Sequence, residues 1–218
     1  MAEDGELPSQ YQALIDSGNG EKIHTVANLY FQGLVVKEDK AKAAELYEMA
    51  ADKGYVQAML RIGIMLMEGD GIEQNYFEAA KYFKRASERG NADAMYLLAL
   101  FYADGKGVDR IPHEAAHWLF ESAKAGSHGA MVELAIWMRD GENYVQKDIK
   151  QAVYWLMKAC LDEYAPAMYE LGCMYAFGES VKKDETNGRY LLTHAMYAGD
   201  LDAAAAIKAL DEGKTERP

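Results

Sequence analysis

Between Asn91 and Gly126 the apolar positions follow a helical period twice, with a break between. Ala94, Leu98 and Tyr102 stand four residues apart, the stripe that an amphipathic helix turns toward a core. The run Asp104-Gly105-Lys106-Gly107 interrupts it, and a second helix is predicted from Pro112 to Ala125. Shifting this stretch by 36 residues lays Gly90 on Gly54 and Gly126, and Gly69 on Gly33 and Gly105. The rest of the chain is copies of it. The predicted units are 19–54, 55–90, 91–126, 127–163 (one residue longer, at Glu142-Asn143-Tyr144) and 164–199. Residues 1–18 read as a tail and a capping helix (Ser9 to Ser17), and 200–218 as a C-terminal capping helix (Leu201 to Leu210) and tail, all in one continuous repeat domain.

Each recurring position has its own physical task. Ala58, Ala94, Ala130 and Ala167 open the core stripe, and Ile62, Leu98, Leu134 and Leu171 continue it. A small residue follows (Ala27, Gly63, Ala99, Ala135, Gly172), which lets a neighbouring helix approach closely. A large one comes next, at Tyr30, Leu66, Tyr102, Met138 and Tyr175. Gly33, Gly69, Gly105, Gly141 and Gly178 suit a left-handed helix end. Asp39, Asn75, Asp148 and Asp184 are placed to cap the second helices; in the third unit Ile111 takes that slot and Pro112 supplies the N1 preference. Met59, Met95, Met131 and Met168 are expected in the core, filling gaps between helices.

The series seen in AMYELGCMYAFGESVKKD and KAAELYEMAADKG resembles the Sel1-like repeat family, relatives of the tetratricopeptide repeat, over nearly the whole chain. The resemblance implies an all-α, right-handed α-solenoid of about five helix-turn-helix repeats. It also implies a bacterial interaction scaffold or adaptor that binds a protein or peptide partner, with neither chemistry nor cofactor of its own. The first helices should then line a concave surface with their non-core positions. These are His24, Asn28 and Phe31; Leu60, Ile64 and Met67; Tyr96, Leu100 and Ala103; Val132, Ile136 and Arg139; and Tyr169, Cys173 and Ala176. The middle trios are mostly apolar, and Gln57, Glu68, Asp93, Asp104, Glu133, Asp140 and Glu170 give them an acidic margin, which suits a peptide groove. Close packing of adjacent first helices would hide the same positions.

Composition narrows the partner. The 218 residues carry a formal charge of −12 and 50% hydrophobic residues, enough for a folded core. With a pI near 4.9 and no basic cluster, nucleic acid and anionic membranes are poor ligands, whereas a basic protein surface is complementary. Neutralisation of a toxin or effector is the sharper alternative. No stretch of about 20 apolar residues suggests a transmembrane span. The acidic start MAEDGELPSQ lacks signal-peptide layout, so a cytoplasmic location is expected; a periplasmic one would follow if a signal had been removed.

Three short motifs compete with the repeat. His113-Glu114-Ala115-Ala116-His117 has the spacing of a zinc hydrolase, but Ala115-Ala116 fill the slots of Ala43-Ala44 and Ala79-Ala80, and His117 that of Glu45 and Lys81, facing solvent. The segment ANLYFQG (27–33) is close to a processing-protease site, yet Tyr30 and Gly33 fill repeat slots. In a cysteine-rich branch of the family, pairs eight residues apart bridge successive helices; Cys160 has Met168 at the second place, so two reduced thiols, Cys160 and Cys173, are expected.

Overall fold

A computed structural model of the chain describes residues 7–218; the opening acidic residues of the tail lie outside them. Among the described residues there are twelve α-helices and no strand. The chain divides into two compact units, one ending at Ile111 and the other running from Pro112. The first holds α1 (Ser9–Asp16), α2 (Gly20–Gln32), α3 (Lys40–Asp52), α4 (Val56–Glu68), α5 (Tyr76–Ser87) and α6 (Ala92–Asp104). The second holds α7 (Pro112–Lys124), α8 (His128–Asp140), α9 (Ile149–Cys160), α10 (Ala165–Phe177), α11 (Glu185–Tyr197) and α12 (Leu201–Asp211). Within each unit every helix packs on the next, giving the expected all-α solenoid of helix pairs. First helices of successive repeats also touch: α2 meets α4, and α10 meets both α8 and α12.

Local chemistry sets the helix ends. The side chains of Asp39, Asn75, Asp148 and Asp184 each accept the backbone N–H three residues on. Asn19, Asn91 and Asp200 do the same for α2, α6 and α12. Each such cap satisfies a donor that the helix itself cannot, worth about 1 kcal/mol. At the other end Gly33, Gly69, Gly105, Gly141 and Gly178 all take the left-handed conformation expected of them.

Small residues set the spacing of paired helices. A Cβ on Gly63 would stand 2.6 Å from Cε1 of the buried Phe83 ring, so α4 and α5 meet at a distance that no side chain at 63 allows. Met59, Met131 and Met168 are buried as expected, and Met95 is partly so. The turns differ between units. Gly107 has φ +65°, and a Cβ there would fall 2.3 Å from the carbonyl of Tyr76. In the second unit Tyr144 fills the same place at φ 64° and is 85% exposed.

Candidate functional site

The first-helix face of the first unit carries an open cleft between α4 and α6, of about 450 Å³. Leu60, Ile64, Tyr96 and Leu97 supply its apolar lining, and Gln57, Arg61 and Asp93 its polar edge. Leu60 is almost covered at 9% exposure and forms floor, whereas Ile64, Met67, Tyr96, Leu100 and Ala103 are half-buried. Spacing of i, i+4 and i+7 along α4 and α6 explains why these residues share a face.

In the first repeat the expected trio is engaged in packing. His24 lies between the rings of Tyr47 and Tyr55, at centroid distances of 5.4 and 5.0 Å. Asn28 accepts a 2.6 Å hydrogen bond from the Tyr47 hydroxyl and lies 3.4 Å from Nδ1 of His24. Phe31 carries the Lys40 ammonium 5.4 Å from its ring centroid. Burial holds the His24 imidazole below its usual pKa; Arg61 reinforces this and Glu21 opposes it.

The second unit departs further from expectation. Val132 is 9% exposed, and Cys173 and Ala176 are fully buried. Cys173, expected to touch a partner, therefore cannot do so. It lies in a cluster with Ala203, Ala206 and Leu210, because α12 packs on α10 and covers that part of its face. Burial pushes the Cys173 thiol up to about 12 and the Cys160 thiol up to about 11, so both are free, protonated cysteines. Ile136 and Tyr169 are half-buried.

Arg139 is anchored rather than open. Its Nε and Nη2 donate to the two carboxylate oxygens of Asp140 at 2.9 and 2.8 Å, and its Nη1 to Glu170 at 3.0 Å. The carboxylates anticipated as an acidic margin on the second unit's face are thus already engaged: Asp140 and Glu170 by Arg139, and Glu133 as acceptor of the Trp137 indole N–H at 2.8 Å.

The zinc-like run presents no built site. The His113 side chain is 76% exposed, His117 is exposed and leans on the Trp118 ring, and among the described residues no group of three His, Cys, Asp or Glu side chains converges. Nor, among them, is any helix long and apolar enough to cross a membrane.

Two further surfaces lie mainly on the second helices. One is a groove of about 610 Å³ between α3 and α5, with Ala44, Ile62, Leu66 and Ile72 in its lining and Glu45, Glu48, Glu73 and Glu78 around it. The other is the exposed side of α9 and α11, where Tyr154, Met157, Leu161, Tyr190 and Tyr197 are 53–84% exposed. Aligning second helices would have revealed the latter: Tyr154, Met157 and Leu161 take the places of Lys81, Lys84 and Glu88. Beneath it, the buried Trp155 indole N–H has no hydrogen-bond partner among the described residues, whereas Tyr82, at its place in α5, donates to Glu48 at 3.0 Å.

Comparison with known proteins agrees with this geometry. The Sel1 repeat model matches residues 26–55, 56–91, 92–127, 128–163 and 165–200, well over half of the chain. Among solved structures, a Sel1 repeat protein from Oxalobacter formigenes superposes with a TM-score of 0.83 at 24% identity, over 92% of this chain and 81% of that one. The protective antigen c5321 of uropathogenic Escherichia coli gives 0.79 at 24% identity, over 95% of this chain and 45% of that one. Immunity protein Pa5087 from Pseudomonas aeruginosa gives 0.60 at 19% identity, over 88% and 70%. These likenesses establish the fold. No curated protein matches the sequence.

Proposed function

This chain belongs to the Sel1 repeat family, whose repeats commonly mediate protein–protein interaction, and we propose that it is a non-enzymatic scaffold or adaptor that takes a protein or peptide partner on its first-helix face. One observation carries this reading. The α4–α6 cleft leaves Ile64, Tyr96 and Leu97 open to a partner side chain, with polar groups at the edge to fix its orientation. Burying one or two apolar side chains there would contribute roughly 1.5–3 kcal/mol each. The net charge of −12 favours a partner with a basic surface and speeds encounter at low salt.

A toxin or effector is the partner class that the charge supports best, and the fold likeness to an immunity protein is consistent with it. Ile64→Glu and Leu100→Glu test the face. Proteins captured by the wild type from cells of its source should be lost from both variants and kept by Tyr154→Glu, with helicity and melting temperature unchanged. Capture that survives Ile64→Glu, or variants that unfold, would refute the assignment.

A further inference from the structure

In the second unit the outward side of the second helices is apolar where α5 of the first unit is charged. Tyr154, Met157 and Leu161 of α9 stand exposed at the register positions of Lys81, Lys84 and Glu88. Tyr190 and Tyr197 of α11 repeat the places of Tyr154 and Leu161, and Leu161 and Tyr197 are each more than 80% exposed. Phe120 of α7, also exposed, takes the place of Met157 and extends the side. The helices that carry these residues are neighbours. The Phe120 ring meets Trp155 of α9 edge-on at 6.1 Å, and Cys160 of α9 packs on the same buried cluster as Leu191 of α11.

The change of polarity reaches the layer beneath. Tyr82 corresponds in register to Trp155, and Glu48, which accepts from Tyr82, corresponds to Phe120, so a carboxylate acceptor has been replaced by a ring. Helix α9 carries no Asp or Glu at all. In a chain of net charge −12, where two copies repel over most of their surface, this side is where they can approach. Its size points the same way. At their observed exposures the six side chains leave on the order of 600–700 Å² open, taking about 150–250 Å² for a large side chain. The largest apolar patch of an ordinary monomer is about 300–600 Å². Each member of a stable pair contributes roughly 800 Å², which this side reaches once a polar rim is added.

We propose that two copies of this chain pair through the outward side of α9 and α11. A two-fold axis lets one patch serve both copies. Setting α9 of each copy against α11 of the other brings Met157 and Leu161 onto Tyr190 and Tyr197. Sulfur–ring contact and apolar burial hold the pair, with Gln151, Asn187 and His194 exposed at the rim. A second copy suits this side better than a basic partner, because the only charges on α9 are those of Lys150 and Lys158. The pairing leaves the α4–α6 cleft free, and a pair carries two of them.

Sedimentation equilibrium of the full chain over a concentration series reads the mass. Wild type should pass from the 24.3 kDa of one chain to twice that mass and no further. Added salt should strengthen the pair, since it screens the repulsion between two chains of charge −12, whereas a contact made of ion pairs would weaken. Leu161→Lys and Tyr190→Lys should each raise the dissociation constant about thirtyfold or more, as loss of a central anchor does. Ile64→Glu, in the other unit, should leave it unchanged. Circular dichroism checks each fold; should Leu161→Lys or Tyr190→Lys lose helicity, Tyr197→Lys takes its place with the same outcomes. Wild type that stays a single chain up to about 100 µM would overturn the proposal and leave this side to an unlike protein. So would growth beyond two copies, a pair weakened by salt, or a dissociation constant that neither lysine moves. None of these outcomes touches the α4–α6 cleft, which Ile64→Glu tests by capture.

Discussion

Ile64 in α4 and Cys173 in α10 occupy the same position of the repeat, as do Arg61 and Glu170. In the first unit Ile64 lines an open cleft and Arg61 stands exposed at its edge. In the second, Cys173 is fully buried beside α12 and Glu170 lies between two guanidinium groups. One framework therefore yields an apolar, accessible face in one unit and a covered, ion-paired face in the other. The repeat fixes where a side chain stands. What packs beside it decides whether that place is surface.

The largest test of this contrast uses one substitution at both places. Cys173→Glu puts a carboxylate in a closed apolar cluster and should cost at least about 3 kcal/mol, read as lost helicity and an early melt of the second unit. Ile64→Glu leaves its carboxylate reachable by water and should change stability by less than about 1 kcal/mol. Equal losses would mean that the α4–α6 face is core.

Charge at the neighbouring position gives a smaller contrast. Glu170→Ala leaves Arg217 without its closer carboxylate and Arg139 with Asp140 alone, and should cost about 1–2 kcal/mol in a denaturant titration. Arg61→Ala should stay within about 0.5 kcal/mol, as an exposed substitution. A similar cost for both would show that the ion cluster adds nothing beyond surface pairing.

Much of this architecture could be read in the sequence. Glycines and caps recur at fixed intervals, and each answers a local backbone need, so Gly105 and Asn75 appear where periodicity puts them. Accessibility was less legible. Whether Cys173 faces solvent depends on α12, a helix outside the five full repeats, whose docking leaves no mark on α10. The engagement of Arg139 depends on Glu170, 31 residues away, and Glu170 is shared with Arg217 from the tail. The exposed aromatic side of α9 and α11 was legible in register but lies on the second helices, away from the face that the repeat pattern favours.

The turns invert the contrast in sign. Gly107→Ala must place a methyl against the Tyr76 carbonyl in a left-handed conformation, and should destabilise the first unit by about 2 kcal/mol. Tyr144→Gly removes the left-handed penalty from a side chain that packs little, and should stabilise the second unit by up to about 1 kcal/mol. Thermal melts of the two variants should move in opposite directions.

The smallest effect separates the units by pH. His24 has a lowered pKa in the fold, from burial first and the Arg61 charge second, so the unfolded chain binds its proton more readily. By linkage its contribution is complete above the unfolded value near 6.5 and is lost as pH falls from there through the folded value. Asp140 is shifted in the same direction but held in its charged form: hydrogen bonds from Arg139, then its charge, hold the carboxyl below its usual range. Its contribution persists above the unfolded carboxylate value and disappears only as pH falls through the lower, folded one. Between pH 6.5 and 5, then, acid should loosen the first unit around His24, Tyr47 and Tyr55 while leaving the Arg139 cluster intact. Amide hydrogen exchange resolves the two: protection in α2 and α3 should fall across this range, and that in α8 and α10 should hold. His24→Phe should remove the fall, because a ring that cannot bind a proton keeps its place between Tyr47 and Tyr55 at either pH. A fall that persists in His24→Phe would assign the acid sensitivity to a group other than this imidazole.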